Sequence, residues 1–374
     1  MKPEAVLSEW ETVAQYLPPN WEALAAEHQQ IETKFGNAKI RTAAELLQLI
    51  LVHVVADLPL RQTVTLVGEA GGPQISPMRL HMKMRRAEPY LHALVAQLAQ
   101  RPAAVSASWW GGYEVLVVDA STVCGPGATG VDARLHTVLR LQDLACVHVA
   151  VTGVEQGETL TRYRWAPNQL VVADRGYANA PGIAALVRDG AQVLVRLNGG
   201  ALPLFHPEGR PFDLLPALRS LRRHRASHWR VEVHWTDAHG VTHPIAGRLC
   251  AFRLPPAEAE KARAWVLREQ GADASTETLE ASQYVALFTT VPRARLSAAR
   301  ALELYRLRWQ VELQFKRWKS LCGLDRLPNY RDDTIRAWLY AKVLAALLVE
   351  RMMAASAAPP PAHDGTDPAF GCAA

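Results

Sequence analysis

EVLVVDAS, residues 114–121, is a short apolar run that reaches an acid at Asp119, a pattern typical of a buried β-strand. The chain continues in the same way, with RLHTVLRLQ (134–142), CVHVAVTG (146–153), QLVVAD (169–174), the helical PGIAALVRDG (181–190) and QVLVRLN (192–198). Three early strands with short turns predict an antiparallel meander, and the later strand, helix and strand predict parallel strands beside it. The fold class is therefore α/β (α+β), with a mixed sheet flanked by helices.

The pattern changes on both sides of this central segment. Before it, apolar residues recur only at helical spacing, as in SEWETVAQYL and TAAELLQLILVHVVA, which predicts an all-helical N-terminal domain. After it, runs such as RVEVHWTD, KARAWVLREQ and QYVALFTTVP are separated by Gly, Pro and acidic turns, which predicts a β-rich insertion. The predicted divisions are a helical domain at 1–105, the first part of a core at 106–199, the insertion at 200–295, the second part of the core at 296–353 and a disordered, low-complexity tail at 354–374.

Residues 61–87, RQTVTLVGEAGGPQISPMRLHMKMRRA, have the pattern of a helix, a glycine-rich turn and a second helix. Ser76 is the expected N-cap of the second helix and Pro77 its first residue. Arg79 and Lys83 would then lie on a helix that docks on DNA, and a plain helical hairpin is the alternative. We interpret residues 1–105 as a DNA-binding domain.

Basic residues are clustered along the chain rather than spread evenly. The 374 residues hold 41 Lys+Arg against 36 Asp+Glu, a net charge of +5 and a pI near 9.0, which favours a polyanionic partner without requiring one. Five arginines and no acid lie between Arg219 and Arg230, among them Arg222 and Arg223. Such clusters suit phosphate contacts, and a solvated surface is the alternative.

Several classes of protein do not fit the composition. The five cysteines are scattered without a CxxC pair, as in the reduced thiols of a cytosolic protein. The first residues, MKPEAVLSEWETV, carry acids where a signal peptide needs an apolar core. The most apolar run, AELLQLILVHVVADLPL, falls short of the ~18 clean apolar residues of a membrane span. We therefore expect a cytoplasmic protein.

A long helix is expected from the N-cap Ser297 to Cys322, with Gly323 as its stop. Within it, YRLRWQVELQFKRWKS (305–320) holds one acid, Glu312, among five basic residues. At about 100° per residue, one stripe of this helix is apolar and predicted to be buried: Leu304, Leu307, Val311, Phe315, Trp318 and Cys322. Beside it, four polar residues share a face: Tyr305, Arg308, Glu312 and Lys319. A structural salt bridge between Arg308 and Glu312 is the alternative to a functional role.

Two further acids, Asp119 and Asp174, each end a buried apolar run, where α/β sheets place ligand-binding groups. Asp is also common there because it starts turns and caps helices. Cleavage of phosphodiesters by two Mg²⁺ ions needs carboxylates that hold the metals ~3.5–4 Å apart. Mg²⁺ favours carboxylate and water oxygens, which fits a chain without a clear His or Cys ligand cluster. Asp119, Asp174 and Glu312 are therefore the candidate metal ligands.

Three motifs resemble one known family. Tyr305, Arg308, Glu312 and Lys319 match the spacing Y-x2-R-x3-E-x6-K of the YREK signature found in DDE transposases of the insertion-sequence type often called "IS four". VVDAST around Asp119, followed by RLH (134–136), resembles the first acidic motif of that family, and VVADRGYAN (171–179) resembles the second.

The resemblance implies a ribonuclease-H-like core interrupted by the insertion, with Asp119, Asp174 and Glu312 as catalytic metal ligands for two Mg²⁺ or Mn²⁺ ions. It implies cut-and-paste transposition of double-stranded DNA, with strand cleavage, hairpin formation and joining to a target, by a homodimer bound to inverted-repeat ends. The resemblance also implies a bacterial protein associated with the nucleoid. Tyr305, Arg308 and Lys319 would bind phosphates. An aromatic of the insertion would stack on a flipped base, and three are candidates: Trp229, Trp235 and Trp265.

Other interpretations remain open at this stage. GPGATG (125–130) fits GxGxxG, but a dinucleotide site requires a helix next, where VDARLHTVLRL alternates as a strand does. The crowded histidines His224, His228, His234, His239 and His243 would allow a zinc site. Relatives usually continue with more helix where this chain turns Pro/Ala-rich, so a shortened end is expected. The alternative functions are a metal-dependent nuclease and an inactive, truncated transposase that only binds DNA.

Overall fold

The computed structural model describes residues 3–31, 39–100, 110–125, 133–198, 200–222, 225–328 and 332–357. The chain divides into two compact units, one formed by residues 1–95 and 340–374 and the other by residues 96–339. The helices are α1 (Pro3–Ser8), α2 (Trp10–Ala14), α3 (Trp21–Glu27), α4 (Ala43–Val55), α5 (Leu60–Glu69), α6 (Pro77–Arg86), α7 (Glu88–Ala99), α8 (Ala180–Arg188), α9 (Leu214–Arg219), α10 (Pro256–Gln270), α11 (Thr276–Ala281), α12 (Ala298–Arg306), α13 (Trp309–Cys322) and α14 (Asp332–Ala357). The strands are β1 (Glu114–Val123), β2 (Ala133–Arg140), β3 (Ala145–Thr152), β4 (Gln169–Ala173), β5 (Gln192–Arg196), β6 (Ser227–Thr236), β7 (Thr242–Arg253) and β8 (Tyr284–Thr289).

All eight of these strands form one mixed sheet in the order β3-β2-β1-β4-β5-β8-β7-β6. β1, β2 and β3 are an antiparallel meander, and β4 and β5 continue from β1 as parallel strands linked through α8. The predicted meander and the parallel unit beside it are thus confirmed, as is the ribonuclease-H-like mixed α/β fold.

The central strands are apolar on both faces because both faces of the sheet are covered. Residues 115–118 of β1 and 170–173 of β4 are each at most 3% exposed, as expected for strands inside a parallel sheet. Val118, Val171 and Val193 pack in one cluster with Ile183 of α8 and Phe288 of β8. This packing fixes the carboxyl ends of β1 and β4 side by side.

The predicted insertion contributes strands to the same sheet. β8 pairs antiparallel with β5, and β7 and β6 continue outward from it. One run counted toward the β-rich pattern, KARAWVLREQ, is helical instead and forms the last ten residues of α10. Its Ala, Lys, Arg, Leu and Glu residues are strong helix formers, Pro256 opens the helix, and Gly271 closes it at a φ of 57°.

The expected single helix from Ser297 to Cys322 is two helices. Ser297 caps α12 as predicted, its hydroxyl accepting from the Arg300 N–H, and Gly323 ends α13 in the left-handed conformation. Between them the backbone tightens, because the N–H groups of Leu307 and Arg308 donate to carbonyls three residues back. The predicted buried stripe is largely present, with Leu304, Val311, Phe315 and Trp318 buried, while Leu307 and Cys322 are half-buried.

Every regular element described in the first unit is a helix, in line with the helical spacing of its sequence. Ser76 caps α6 and Pro77 is its first residue, both as predicted. None of the described helices is long and apolar enough to cross a membrane.

α14 supplies part of the core of the first unit. Residues 341–348 of this helix are all buried, and among them Lys342 forms an ion pair with Asp57, at the carboxyl end of α4. Arg351 also donates to the carbonyl of Tyr16, 3.3 Å away. Residues from Tyr340 onward thus belong with the N-terminal helices, whereas the sequence placed 296–353 in the core. The helix extends to Ala357, past the predicted start of the tail, and residues 358–374 lie outside the described residues.

Candidate active site

The register of the parallel strands brings Asp119 and Asp174 together. β1 and β4 pair in parallel as far as Val117 and Val172. Two residues further along each strand stand Asp119 and Asp174, so the two acids occupy equivalent positions on neighbouring strands, about 5 Å apart in a regular sheet. Asp174 follows β4 directly, as predicted. Asp119 does not end its strand, because β1 continues to Val123 through its antiparallel pairing with β2.

Asp119 is held in a partly dry environment. Its side chain is 17% exposed, and Oδ1 accepts a hydrogen bond from the N–H of Ala120 at 2.9 Å. Burial raises the pKa of this carboxyl to about 6, and the negative charges of Glu158 and Asp174 act in the same direction, against the Ala120 N–H and Arg308. The fold therefore disfavours the ionised form of Asp119 even with the Arg308 guanidinium 3.4 Å away.

The pKa of Asp174 is shifted in the opposite direction, below its ordinary value. It precedes a single turn of 3-10 helix, Arg175–Tyr177, and its Oδ1 accepts from the Tyr305 hydroxyl at 2.7 Å. Burial by itself would raise the pKa of Asp174, but the Tyr305 hydroxyl, the Arg175 N–H and the Arg308 charge together lower it. Tyr305 therefore keeps Asp174 ionised, which is the form a cation requires.

One guanidinium group contacts all three acids. Nη1 of Arg308 lies 3.4 Å from Oδ2 of Asp119, and Nη2 lies 4.0 Å from Oδ2 of Asp174 and 2.6 Å from Oε1 of Glu312. The salt bridge considered from the sequence thus exists, but the same side chain also reaches the other two acids. Burial would lower the pKa of Arg308, and the surrounding negative groups raise it overall, so its charge is secure.

This donor set fits a divalent cation. Asp119, Asp174 and Glu312 come from three separate elements and surround one positive group, and carboxylate oxygens are the ligands that Mg²⁺ and Mn²⁺ prefer. Among the described residues no three His, Cys, Asp or Glu side chains lie close enough to ligate one ion as they stand. The Arg308 guanidinium lies between the carboxylates, and they would have to move toward a smaller ion.

Lys319 extends the cationic edge of the site along β1. Its Nζ donates to the carbonyl of Thr122, 3.3 Å away, near the carboxyl end of that strand. The tightened turn between α12 and α13 lies between Tyr305, which donates to Asp174, and Glu312, which accepts from Arg308. Three residues of the predicted polar face therefore contact β1 or the residue after β4: Tyr305, Arg308 and Lys319. Glu312 joins them through Arg308.

The structure distinguishes the three candidate tryptophans of the insertion. Trp229 and Trp235 are half-buried and pack against the sheet core. Trp265 on α10 is 38% exposed, and the guanidinium carbon of Arg175 lies 4.6 Å from the centre of its indole ring. Since Arg175 follows Asp174 in the chain, Trp265 is the one of the three linked to the acidic site.

The other residues predicted to contact DNA differ from one another in how far they are exposed to solvent. Lys83 is buried, and its Nζ donates to the carbonyl of Gln30 at 2.6 Å, so this ammonium stabilises the fold and its position goes against a phosphate contact. Arg79 is half-buried on α6. Arg222 is exposed after α9, and Arg223 lies outside the described residues.

Two rival interpretations lose their basis. The segment after GPGATG is the strand β2 and not a helix, so the dinucleotide site is wrong; residues 126–132 lie outside the described residues. The described histidines of the insertion join no group of three metal-ligating side chains. His234 stacks on Phe205, and His243 pairs with Asp237 at 2.9 Å. His224 lies outside the described residues.

Sequence reasoning missed one acid near the site. Glu158, in the connection between β3 and β4, is half-buried and interacts electrostatically with Asp119, Asp174 and Arg308. No spacing rule links it to the other acids, because the connection that carries it has no regular periodicity. The sequence offered one indication of its role. Glu158 lies in the connection between the meander that carries Asp119 and the strand that leads to Asp174.

Asp119→Asn is expected to stabilise the metal-free protein at neutral pH. The folded protein holds the proton of Asp119 more tightly than the unfolded chain, since the pKa rises from 3.8 to about 6 on folding. Ionisation above pH 6 therefore costs about 1–3 kcal/mol of unfolding free energy. Thermal melting in EDTA at pH 7.5 should show a higher Tm for the variant. The gain should shrink as the pH falls through 6, and an equal or lower Tm at every pH would contradict the expectation.

Comparison with known proteins gives a consistent set of relatives. A family model described as "Transposase DDE domain" matches residues 110–348, which include every acid of the site. The InsL protein of insertion sequence element IS186A from Escherichia coli strain K12, named as a transposase, is 30% identical over 366 residues, 94% of this chain and 99% of the relative. The transposase for insertion sequence element IS421 from Escherichia coli is 30% identical over the same shares of both chains.

A third relative matches over a shorter stretch. The transposase for insertion sequence element IS231F from Bacillus thuringiensis subsp. israelensis is 30% identical over 118 residues, 30% of this chain and 24% of the relative. The two Escherichia coli relatives are matched over 99% of their lengths, so they give no support to the expected shortening of this chain.

Proposed function

The chain belongs to the family of transposases with a DDE domain, and on that premise we propose that it moves its insertion sequence by cut-and-paste transposition. Proteins of this family are transposases that cleave and transfer DNA strands, and they depend on a divalent metal ion. The finer proposal is a reaction with two Mg²⁺ or Mn²⁺ ions held by Asp119, Asp174 and Glu312. Within it, the first strand is cut at the element end, and the freed 3′-hydroxyl attacks the opposite strand to form a hairpin.

The convergence of three acids on one cationic group carries this proposal. Asp119, Asp174 and Glu312 all contact Arg308, at the carboxyl end of two neighbouring parallel strands. When bound there, divalent ions supply Lewis-acid activation of water and of the phosphodiester. The hydrolysis step needs no covalent protein nucleophile, which agrees with a site built from carboxylates and cations.

The chain's own side chains have separable tasks in this scheme. Tyr305 keeps Asp174 ionised through its hydrogen bond. Arg308 contacts the acids and Lys319 contacts the Thr122 carbonyl of β1, and both bind the phosphates that flank the reacting bond. Ions held by the three carboxylates would take the place of the Arg308 guanidinium, which would then be available for a bidentate phosphate contact.

DNA recognition outside the acidic site is assigned to basic surfaces. The first unit binds the inverted repeat through α6, where Arg79 and Arg86 replace the buried Lys83 as the contacts. Arg222, with its neighbour Arg223, provides a second phosphate contact. A homodimer holds the two element ends and the target duplex together.

Trp265 is the stacking residue of the hairpin step. Hairpin formation requires a sharp bend of the DNA, and stacking of an extruded base on an aromatic ring contributes about 1–3 kcal/mol. Trp265 is the exposed candidate, and Arg175, the residue after Asp174, lies over its ring. Trp229 and Trp235 are already packed against the core.

The experiment combines cleavage and hairpin assays on duplex DNA that carries the inverted repeats flanking the gene. With Mg²⁺ or Mn²⁺ the protein should nick the element end and then form a hairpin. Trp265→Ala should nick normally but form hairpins about 10-fold or more slowly, with Trp265→Phe partly restoring them. Trp235→Phe is the control for an aromatic outside the site. Specific binding without any cut in either metal would refute the enzymatic proposal, and cutting without joining would identify a nuclease.

A further inference from the structure

Glu158 is held in a fixed position between β3 and β4. On one side, Nη2 of Arg162 donates to the carbonyl of Gly157 at 3.1 Å. On the other, Leu160 is fully buried and its carbonyl accepts from Nε1 of Trp165 at 3.0 Å. The backbone before Glu158 is thus held by Arg162 and the backbone after it by the buried Leu160, so the segment that carries this carboxylate has a partner on both sides.

The carboxylate of Glu158 lies against Gly176, two residues after Asp174. A β-carbon at position 176 would collide with Oε2 of Glu158 and would lie 3.3 Å from its Cδ. Gly176 is not among the glycines with positive φ, so its backbone conformation does not require glycine. The close approach of Glu158 explains why a residue without a side chain stands in the Asp-Arg-Gly-Tyr segment.

The charges around Glu158 are those of the candidate active site. Glu158 interacts electrostatically with Asp119, Asp174 and Arg308. With Glu312, four carboxylates therefore interact with the guanidinium of Arg308. Arg134 also acts on Glu158 and Arg196 on Asp174, and a divalent ion would add positive charge among these acids. No other part of the proposed mechanism uses Glu158.

Resting on the function proposed above, we propose that Glu158 is a fourth acidic residue of the metal-binding centre. It strengthens the binding of a divalent ion beside Asp119 and Asp174, as a ligand or as hydrogen-bond partner of a ligand water. Gly176 is then a positioning residue, because it leaves the space in which the Glu158 carboxylate approaches Asp174. The acids of the centre number four, from β1, the β3–β4 connection, the end of β4 and α13.

The test measures Mn²⁺ affinity directly, by electron paramagnetic resonance of free Mn²⁺ titrated into the full-length protein without DNA. Glu158→Gln keeps the shape of the side chain and should weaken Mn²⁺ binding about 10-fold or more. Glu155→Gln removes the same charge from an exposed position in the same connection, and it should bind Mn²⁺ as the parent does. Melting in EDTA shows whether either variant is misfolded.

A second pair of variants separates position from charge. Gly176→Ala leaves all four carboxylates in place but pushes Glu158 away, so it should also weaken Mn²⁺ binding. In a Glu158→Ala background, Gly176→Ala should cause no further loss, because its target is already gone. Equal losses in both backgrounds would mean that Gly176 acts independently of Glu158, and that part of the proposal would fail.

The outcomes separate this inference from the proposed function. If Glu158→Gln binds Mn²⁺ within twofold of the parent, or only lowers the Tm, Glu158 is structural and the inference fails, whatever the protein does to DNA. If Mn²⁺ affinity depends on Glu158 but the parent never cuts the repeat DNA, the fourth acid stands and the transposition proposal fails.

Discussion

Replacing any one of the three acids that contact Arg308 is expected to stop strand cleavage while DNA binding persists. Asp174→Asn and Glu312→Gln keep the size of each side chain but remove a charge from the centre. Loss of a group that acts with others as a unit typically costs about 10³-fold or more in rate. Nicking of repeat DNA should therefore fall below detection with Mg²⁺. Gel-shift affinity for the same DNA should stay equal to that of the parent or rise, since less negative charge opposes the phosphates.

Glu303→Gln is the matched control for this result. Glu303 and Glu312 are the two acids of the basic stretch from Arg293 to Lys319. Glu303 is exposed on α12 and pairs only weakly with Arg300, at 3.1 Å on the surface. Its substitution removes the same charge from the same stretch and should leave nicking intact. Comparable losses in both variants would show that net charge, and not metal binding, explains the effect.

Breaking the ion pair between Asp57 and Lys342 is expected to be the most destabilising single change outside the site. Lys342 is 1% exposed in its side chain, whereas the Asp57 side chain is 31% exposed. Asp57→Asn would strand a buried ammonium opposite a neutral group, at a cost on the order of 3 kcal/mol. Asn suits this position otherwise, because Asp57 has a φ of 51° and Asn tolerates the left-handed region.

A double-mutant cycle tests whether the loss of stability comes from the interaction between Asp57 and Lys342. Lys342→Met should cost less than Asp57→Asn, because the carboxylate left behind reaches solvent. The double variant should recover much of the loss, since neither charge remains. Lys261→Met is the control, because Lys261 pairs with Glu258 on the surface and should change stability by at most about 0.5 kcal/mol. Urea unfolding followed by tryptophan fluorescence measures all four, and additive losses would exclude a coupled pair.

The sheet was predictable because its central strands carry an unambiguous signal. Val115 to Val118 and Leu170 to Ala173 are apolar without alternation, and only strands covered on both faces have that composition. The positions of Asp119 and Asp174 followed from it, since parallel strands with matching endings bring those endings to the same edge. The predicted end of β1 at Asp119 was wrong. Pairing with β2 extends the strand to Val123, and no residue near Asp119 indicates this extension.

The other predictions that were wrong concern residues whose structure depends on contacts with distant parts of the chain. The turn at Leu307 and Arg308 contains neither Gly nor Pro, and contacts of the neighbouring Tyr305 with Asp174 and of Arg308 with the acids accompany it. A helical wheel drawn through that turn is valid only on each side of it. Lys83 looked like a surface charge because its partner, the carbonyl of Gln30, is 53 residues away. Glu158 belongs to no sequence motif, because the charged residues near it lie on other elements of the fold.

The contribution of α14 to the first unit has a consequence for synthesis on the ribosome. The core of that unit includes residues from Tyr340 onward, and Lys342 is the partner of Asp57. At about 5–20 residues per second, tens of seconds separate the synthesis of α4 from that of α14. The N-terminal helices therefore wait, incompletely packed, while the whole sheet emerges. A nascent chain stopped before α14 would carry the acids but lack part of the core of the first unit, so the candidate catalytic residues are made before that unit can complete its packing.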